Sequence, residues 1–170
     1  VKAGVQRAHI IDGRIEHAGT GTLAIGTDTL AGARGRIASN GALVLNAAAL
    51  TLDAAETVAE YFAISAGSFS HAGGQLLQRG TGASRIAVTA GFDNRNATLA
   101  GNGSLAIAAD TLDNRNARIA VAEDLALTAT RIDNASGQLA AGRDLGATLA
   151  GDLANSAGRR FDRDIQGFAR

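Results

Sequence analysis

Large apolar residues recur along this chain at offsets that repeat about every 20 residues. In the unit that begins at Leu112, a second apolar residue follows at Ile119 and a pair follows at Leu125 and Leu127. Apolar residues alternate with small or polar ones in each unit, as expected for strands that bury one face. Glycine, asparagine and serine separate these stretches and favour turns. A repeat this short is too small for most helical repeat units and predicts the coils of a β-solenoid.

The same spacing can be followed along most of the chain. Three units keep it unchanged and begin at Leu30, Phe92 and Leu112, and the unit from Ile132 differs only in a small Ala147 at the last apolar position. Altered copies begin near Ile10, at Leu50, at Phe69 and near Leu153. Since a single coil cannot bury its own inner face, the coils must stack on one another. We therefore expect an all-β fold, with one parallel β-helix over residues 1–170 built of about eight coils.

The alanine-rich stretch after Leu50 is the one place where a helix competes with strands. Asp53 and Glu56 have the spacing of an N-terminal capping box, and residues 53–60 have high helix propensity. The apolar residues there do not keep a 3.6-residue period, however. We take Val58 as the second apolar position of the unit from Leu50, and allow at most one helical turn near 53–60.

Stacked coils would place identical residues above one another. Asn94, Asn114 and Asn134 then form one column, which Asn155 continues after a shift of one residue. An asparagine amide both donates and accepts, so this column can hydrogen-bond to itself along the stack. We interpret it as a structural ladder, with a polar ligand groove as the alternative.

A second column of Asp93, Asp113 and Asp133 would lie beside the first. Three stacked carboxylates could hold a calcium ion. They could equally accept hydrogen bonds from turn N–H groups while Arg95, Arg115 and Arg131 neutralise the row; we favour this reading. The glycine-dense nonapeptide of calcium-binding β-rolls is missing. We expect no metal site here.

The longest connection between repeats runs from residue 77 to residue 85. Insertions in solenoids map to exposed loops, and binding often resides in such loops. We predict that this connection adds about four residues at one corner. The alternative is an insertion without a role. The candidate binding residues are Gln78, Arg79, Thr81, Ser84 and Arg85.

Composition narrows the possible partners. The formal net charge is zero, so no long-range field favours nucleic acid or an anionic membrane. Aromatic residues make up only 4% of the chain, which leaves little surface on which bases or sugars could stack. There is no cysteine, and no apolar run is long enough to span a membrane. We expect no nucleic-acid partner and no membrane insertion.

The candidate chemical groups argue against an enzyme. The glutamates outside the ladder lie at unrelated phases of the repeat, so they do not converge as the carboxylates of a polysaccharide-cleaving solenoid must. The three histidines have no metal-ligand spacing. Gly19-Thr20-Gly21 and Gly80-Thr81-Gly82 lack the lysine of a phosphate-binding loop and are interpreted as turns. We expect no catalysis and no cofactor; a polysaccharide lyase or hydrolase is the weakest alternative.

One full unit reads Ile132-Asp-Asn-Ala-Ser-Gly-Gln-Leu-Ala-Ala-Gly-Arg-Asp-Leu145. This unit resembles the repeats of filamentous haemagglutinins and contact-dependent inhibition exoproteins. The resemblance is close over 92–158, looser over 10–50 and weakest over 51–91. It implies a right-handed parallel β-helix. It also implies export by two-partner secretion through a dedicated outer-membrane transporter, and a location at the bacterial cell surface or in the medium.

The resemblance also implies a function. The chain would be a shaft segment of a large secreted adhesin, haemagglutinin or toxin-delivery filament, whose parent protein contacts a receptor or glycan on a host or target cell. The alternative is a binding module that recognises such a partner through the inserted loop or a ladder face. We further expect an irregular end over 159–170, and some end-to-end self-association through unpaired strand edges.

Overall fold

The computed structural model describes residues 7–9, 13–157 and 159–161. Every regular element in these ranges is a β-strand. The first nine strands are β1 (Arg7–His9), β2 (Arg14–His17), β3 (Leu23–Ala31), β4 (Arg36–Ser39), β5 (Ala42–Thr51), β6 (Glu56–Ala59), β7 (Tyr61–Ser70), β8 (Gln75–Gln78) and β9 (Ser84–Val88). The others are β10 (Gly91–Asp93), β11 (Thr98–Gly101), β12 (Leu105–Asp113), β13 (Arg118–Val121), β14 (Leu125–Asp133), β15 (Gln138–Ala141), β16 (Leu145–Leu149), β17 (Leu153–Ala154) and β18 (Arg159–Phe161).

The strands form two parallel sheets that face each other. The 10-stranded sheet has the order β1-β3-β5-β7-β10-β12-β14-β16, with β9 pairing β7 and β12 and with β17 pairing β14. The 8-stranded sheet has the order β18-β15-β13-β11-β8-β6-β4-β2. Each coil thus contributes to the long sheet and then to the short sheet before it returns. The protein is a β-solenoid of about seven turns. The predicted fold class is confirmed, with slightly fewer turns than the eight expected.

Residues 20 apart lie in neighbouring coils wherever the repeat is regular. Leu112 pairs with Ile132 in the long sheet, and Ile119 pairs with Leu139 in the short sheet. These side chains point inward and are buried. Because each coil covers the apolar face of the coil before it, the core is one continuous column of aliphatic side chains.

Two aromatic rings in neighbouring coils interrupt one column of the aliphatic core. Phe69 and Phe92 occupy the position that leucine or isoleucine fills in the neighbouring coils, and they pair directly across β7 and β10. Their ring centroids are 4.7 Å apart with an interplanar angle of 2°. Aromatic side chains at equivalent positions of neighbouring coils therefore stack on one another, as the aliphatic side chains do.

The turn after each long strand requires one residue in the left-handed region. Its φ is 56° at Asn96, 54° at Asn116 and 56° at Ser136. Asparagine and serine tolerate this conformation better than bulky or branched residues do. The left-handed residue lies two positions after Asn94, Asn114 and Asn134, which frees these three asparagines to point into the coil.

Residues 53–60 do not contain the helical turn that the sequence allowed. Ala54 has a φ of 53° in a tight turn, and Glu56–Ala59 form β6 between β4 and β8. Hydrogen bonds to strands on both sides outweigh the helix propensity of a short alanine-rich stretch. Asp53 does not cap a helix, because its Oδ1 accepts hydrogen bonds from Ser70 and from the backbone of Ala72.

The interpretation of Val58 as an inward position is wrong. Thr57 pairs with Ile37 on one side and with Leu76 on the other, so it is Thr57 that points into the core. Thr57 is fully buried, and its hydroxyl finds no hydrogen-bond partner among the described residues. Val58 takes the outward column beside Ala38 and Leu77. Hydrophobicity alone favoured the wrong member of this Thr-Val pair.

An irregular end was expected over 159–170. Arg159–Phe161 form β18, which pairs in parallel with β15 and places Arg159 opposite Gln138. Residues 158 and 162–170 lie outside the described part of the chain.

Candidate functional site

The corner that leads from the short sheet to the long sheet varies in length from coil to coil. Six residue steps separate Gln78 from Ser84, whereas four separate their partners Gly101 and Leu105 in the next coil. The connection therefore adds two residues at this corner, fewer than the four or so expected. The sequence estimate failed because polar Ser84, and not an apolar residue, occupies the inward position that Leu105 fills above it.

Two of the five candidate binding residues are buried. Gln78 is 4% exposed and donates a hydrogen bond through Nε2 to the carbonyl oxygen of Gly82, so it fills the inside of the widened corner. Ser84 is 2% exposed, and its Oγ accepts a hydrogen bond of 3.0 Å from the backbone N–H of Phe62. These two residues hold the loop from inside and are not available to a partner.

The other three candidates, Arg79, Thr81 and Arg85, are exposed. Arg79 and Thr81 lie in the corner loop itself. Arg85 lies on the outer face of β9, within a strand and not in the loop. The structure therefore separates Arg85 from the loop that the sequence grouped it with.

A second corner has the same design as the first. Six residue steps also separate His17 from Leu23, whereas their partners Ser39 and Leu43 are four steps apart. Both long corners contain the sequence Gly-Thr-Gly, at residues 19–21 and 80–82. The two loops project from the same corner three coils apart, which is about 14 Å along the axis. They form a matched pair, which we call the twin loops (residues 18–22 and 79–83).

Each twin loop is held by an Asn-Gly pair in the following coil. Asn40 donates through Nδ2 to the carbonyl oxygen of Ala18 at 3.2 Å. Asn102 donates in the same way to the carbonyl oxygen of Arg79 at 2.7 Å. The glycine that follows each asparagine leaves space for the loop, because a Cβ on Gly41 would lie 1.9 Å from the carbonyl oxygen of Gly21. Sequence reasoning missed this coupling, although the recurrence of Asn-Gly about 20 residues after each Gly-Thr-Gly signals it.

The coil directly before the second twin loop has the shortest corner. Ala59 and Phe62, the partners of Gln78 and Ser84, are only three residue steps apart. Tyr61 lies in this short corner and is 43% exposed, more than any other large apolar side chain of the described residues. The Arg79 guanidinium crosses this coil and donates through Nη2 to Asn40 Oδ1 at 3.3 Å. An exposed aromatic ring and an anchored guanidinium therefore lie between the twin loops.

The asparagines of the regular coils form a continuous buried hydrogen-bond chain. Asn94 Nδ2 donates to Asn114 Oδ1 at 2.8 Å, and Asn114 Nδ2 donates to Asn134 Oδ1 at 2.6 Å. Asn134 Nδ2 continues the chain to Asn155 Oδ1 at 2.7 Å. The first three asparagines are 0–1% exposed, so they present no groove to a ligand.

The aspartates beside this ladder alternate with arginines at the surface. Arg95 Nη2 lies 2.6 Å from Asp93 Oδ2, and Arg95 Nε lies 3.7 Å from Asp113 Oδ2. Arg115 makes the equivalent pair of contacts with Asp113 and with Asp133, at 2.6 Å and 3.7 Å. Each arginine thus bridges two coils. No ion pair joins Arg131 to this row within the described part of the chain.

These contacts favour the ionised forms of Asp93 and Asp113. The hydrogen bond from the Arg95 side chain lowers the pKa of Asp93. Burial of Asp113 opposes its ionisation, but hydrogen bonds from the side chain and backbone of Arg115 and the charge of Arg115 outweigh it, so the pKa of Asp113 is also lowered. Among the described residues, no three histidine, aspartate or glutamate side chains are placed to hold a metal ion together. In the same ranges, no helix is long and apolar enough to cross a membrane.

The comparison with protein families decides where this solenoid belongs. The model of the haemagglutinin repeat matches residues 18–96, 79–129 and 98–157. The chain belongs to the haemagglutinin repeat family. The first matched range, residues 18–96, includes both Gly-Thr-Gly sequences. Comparisons with curated proteins and with solved structures gave no match.

Proposed function

We propose that this chain is a segment of the shaft of a large secreted bacterial adhesin or toxin-delivery filament that supports contact between cells. The haemagglutinin repeat and the β-solenoid fold point to a structural adhesin-type protein. The observation that carries the shaft role is the unbroken parallel pairing from β1 to β16 in one sheet and from β2 to β18 in the other. A stack of this kind can act as a spacer, because it fixes the distance and direction between the segments that it connects.

Export and partners form part of the same proposal. A filament of this family would leave the cell through an outer-membrane two-partner-secretion transporter and act at the cell surface or in the medium. A receptor or glycan on a host or target cell would be contacted by the parent protein. The absence of cysteine from the chain suits a polypeptide that crosses a membrane before it folds, because no disulfide can form too early.

Removal of whole coils tests the shaft role. Deletion of residues 92–131 joins Gly91 to Ile132, and it keeps the register because Gly91 and Arg131 both pair with Thr111. We expect the shortened chain to keep a β-rich circular-dichroism spectrum. Its length by small-angle scattering should fall by about 10 Å, two coil spacings. The intact chain should not bind erythrocytes or bacterial cells. Loss of folding after this deletion, or saturable cell binding by the intact chain, would contradict a spacer role.

A binding module is the second candidate, and Tyr61 is the observation that favours it. Its exposed ring lies in the short corner between the twin loops, and the Arg79 guanidinium crosses the same coil to reach Asn40. On this reading the chain binds cells, and Tyr61→Ala and Arg79→Ala each remove that binding without changing the folded state. Thr20→Ala in the other twin loop is the matched control. Unchanged binding in both variants would exclude this surface.

A further inference from the structure

The asparagine ladder ends at a histidine. β10 pairs with β7 so that Asp93 lies opposite Ser70. The next residues, Asn94 and His71, therefore occupy the same position in neighbouring coils. His71 is 0% exposed, and its Nδ1 lies 2.8 Å from Asn94 Oδ1. On the other side of His71 the column continues with Leu52, which is also buried and has no polar side-chain atom. His71 therefore stands where a polar ladder meets an apolar column.

The direction of the ladder fixes the protonation of the imidazole. Asn94 uses its Nδ2 as the donor to Asn114, so its Oδ1 can only accept from His71. The neutral ring must then carry its proton on Nδ1 and leave Nε2 without one. Nε2 is buried, and the described residues offer it no hydrogen-bond partner in this state of the ring. The ring lies so close to the next turn that a Cβ on Gly74 would be 2.6 Å from Nε2.

Addition of a proton to Nε2 would place a charge inside the coil, where burial disfavours it and a hydrogen bond with the Gln75 backbone favours it. Asp53 of the preceding coil and Asp93 of the following coil are the charged groups that face the ring. Asp53 already accepts hydrogen bonds from Ser70 and Ala72, and Asp93 is paired with Arg95. Burial outweighs both carboxylates and the contributions of Asn94 and the Gln75 backbone, so the pKa of His71 is lowered from its ordinary value of 6.5.

We propose that the junction around His71 is an acid-sensitive joint, at which the coils that contain β5–β8 separate from the coils above them before the rest of the solenoid opens. Contacts in a solenoid connect only neighbouring coils, so each junction can open nearly independently. The junctions above His71 use asparagine, which does not titrate. An adhesin shaft would thus carry a titratable residue at one end of a ladder whose other members do not titrate.

The pH range follows from linkage. Since the folded state disfavours the protonated ring, the pKa of His71 is lower in the folded state than in the open or unfolded state. At a pH between these two pKa values, the open or unfolded state binds more protons. The stabilising effect of neutral His71 is complete above about pH 6.5 and is lost as the pH falls below that value toward the lower pKa of the folded state. Aspartates and glutamates with ordinary pKa values stay ionised over most of this range.

Hydrogen exchange of the whole chain at pH 7.5 and pH 5.5 tests the joint, with protection factors corrected for the intrinsic rates. The reporters are the amides of His71 and Gly73, which bond to Asp93 and Arg95 of the coil above. Their protection should fall up to about tenfold, the limit for one pH unit below 6.5. The equivalent amides of Asn114 and Asn116 should change little. An equal loss at all four amides, or no loss, would overturn the proposal.

Histidine variants separate this effect from a general sensitivity to acid. His71→Asn continues the ladder without a titratable group and should abolish the acid-dependent loss. His17→Asn and His9→Asn are the matched controls and should leave the loss unchanged. If His71→Asn does not fold, an NMR titration of the wild-type imidazole decides. A pKa of His71 at or above 6.5 would refute the joint, and a lower value would support it.

Discussion

Gly103 lies so close to Gly82 of the preceding coil that a Cβ on Gly103 would be 2.1 Å from the Gly82 carbonyl oxygen. Gly41 has the same relation to Gly21 in the other twin loop. Each long corner thus leans over the next coil and occupies the space that a side chain would need. The residues that define a loop in this solenoid therefore belong to two coils, about 20 residues apart in sequence.

Gly103→Ala should destabilise the protein by about 1–3 kcal/mol, the usual cost of overpacking. The methyl group would collide with backbone, which cannot move aside cheaply. The cost should fall below about 1 kcal/mol in a chain that also lacks Thr81 and Gly82, because the colliding oxygen is then gone. Urea unfolding of the two single variants and the double variant measures this coupling. Gly146→Ala is the control, since a Cβ there meets nothing within 4 Å.

Asn114→Ala should destabilise the protein by about 2–4 kcal/mol. The substitution removes the acceptor of Asn94 and the donor to Asn134, and it leaves two buried polar groups without partners. Chemical denaturation gives the free energy of unfolding. Asn46→Ala, which removes an exposed asparagine on β5, should change it by less than about 0.5 kcal/mol. Equal effects of the two substitutions would show that the ladder contributes no more than a surface asparagine.

Thr57→Val should stabilise the protein by about 1–2 kcal/mol. The Thr57 hydroxyl is buried without a partner, and its neighbours in the column are Ile37 and Leu76. A methyl group of nearly the same size removes the unmatched polar atom and adds apolar contact. Thermal unfolding should show a higher midpoint for this variant. Thr128→Val on the outer face of β14 should leave the midpoint nearly unchanged, and a lowered midpoint for Thr57→Val would mean that the hydroxyl is satisfied after all.

Asp113→Asn should lower the free energy of unfolding by about 0.5–1 kcal/mol at neutral pH. The pKa of Asp113 in the folded state is lowered from its ordinary value of 3.8, so its ion pairs stabilise the protein above that pH. The difference between variant and wild type should disappear as the pH falls below 3.8 through the lower folded-state pKa. Denaturation at several pH values measures it. Asp110→Asn, at a residue with no ion pair in the described ranges, is the control and should change the free energy of unfolding at neutral pH by less than Asp113→Asn does.

The fold could be predicted because the same pattern of apolar residues recurs in each regular coil. Leu112 and Ile132 carry the same hydrophobic position at the same offset, and in a parallel stack equal offsets become direct contacts. The columns of asparagine and aspartate could be anticipated for the same reason. The period of two residues within strands and the period of 20 residues between coils can both be recognised from the amino-acid sequence alone.

The sequence by itself determined the coil, the strands and the residues that stack in the regular units. Only the tertiary structure decided the corners. There the spacing departs from 20, and the pairing between coils selects which residue points inward. Thr57 and not Val58 does so in β6, and the polar Ser84 takes the position that Leu105 fills in the next coil. It also brings each Gly-Thr-Gly against an Asn-Gly of the next coil, and it ends the asparagine ladder at His71. These contacts depend on where the chain lies after a full circuit, and local propensity carries no information about that position.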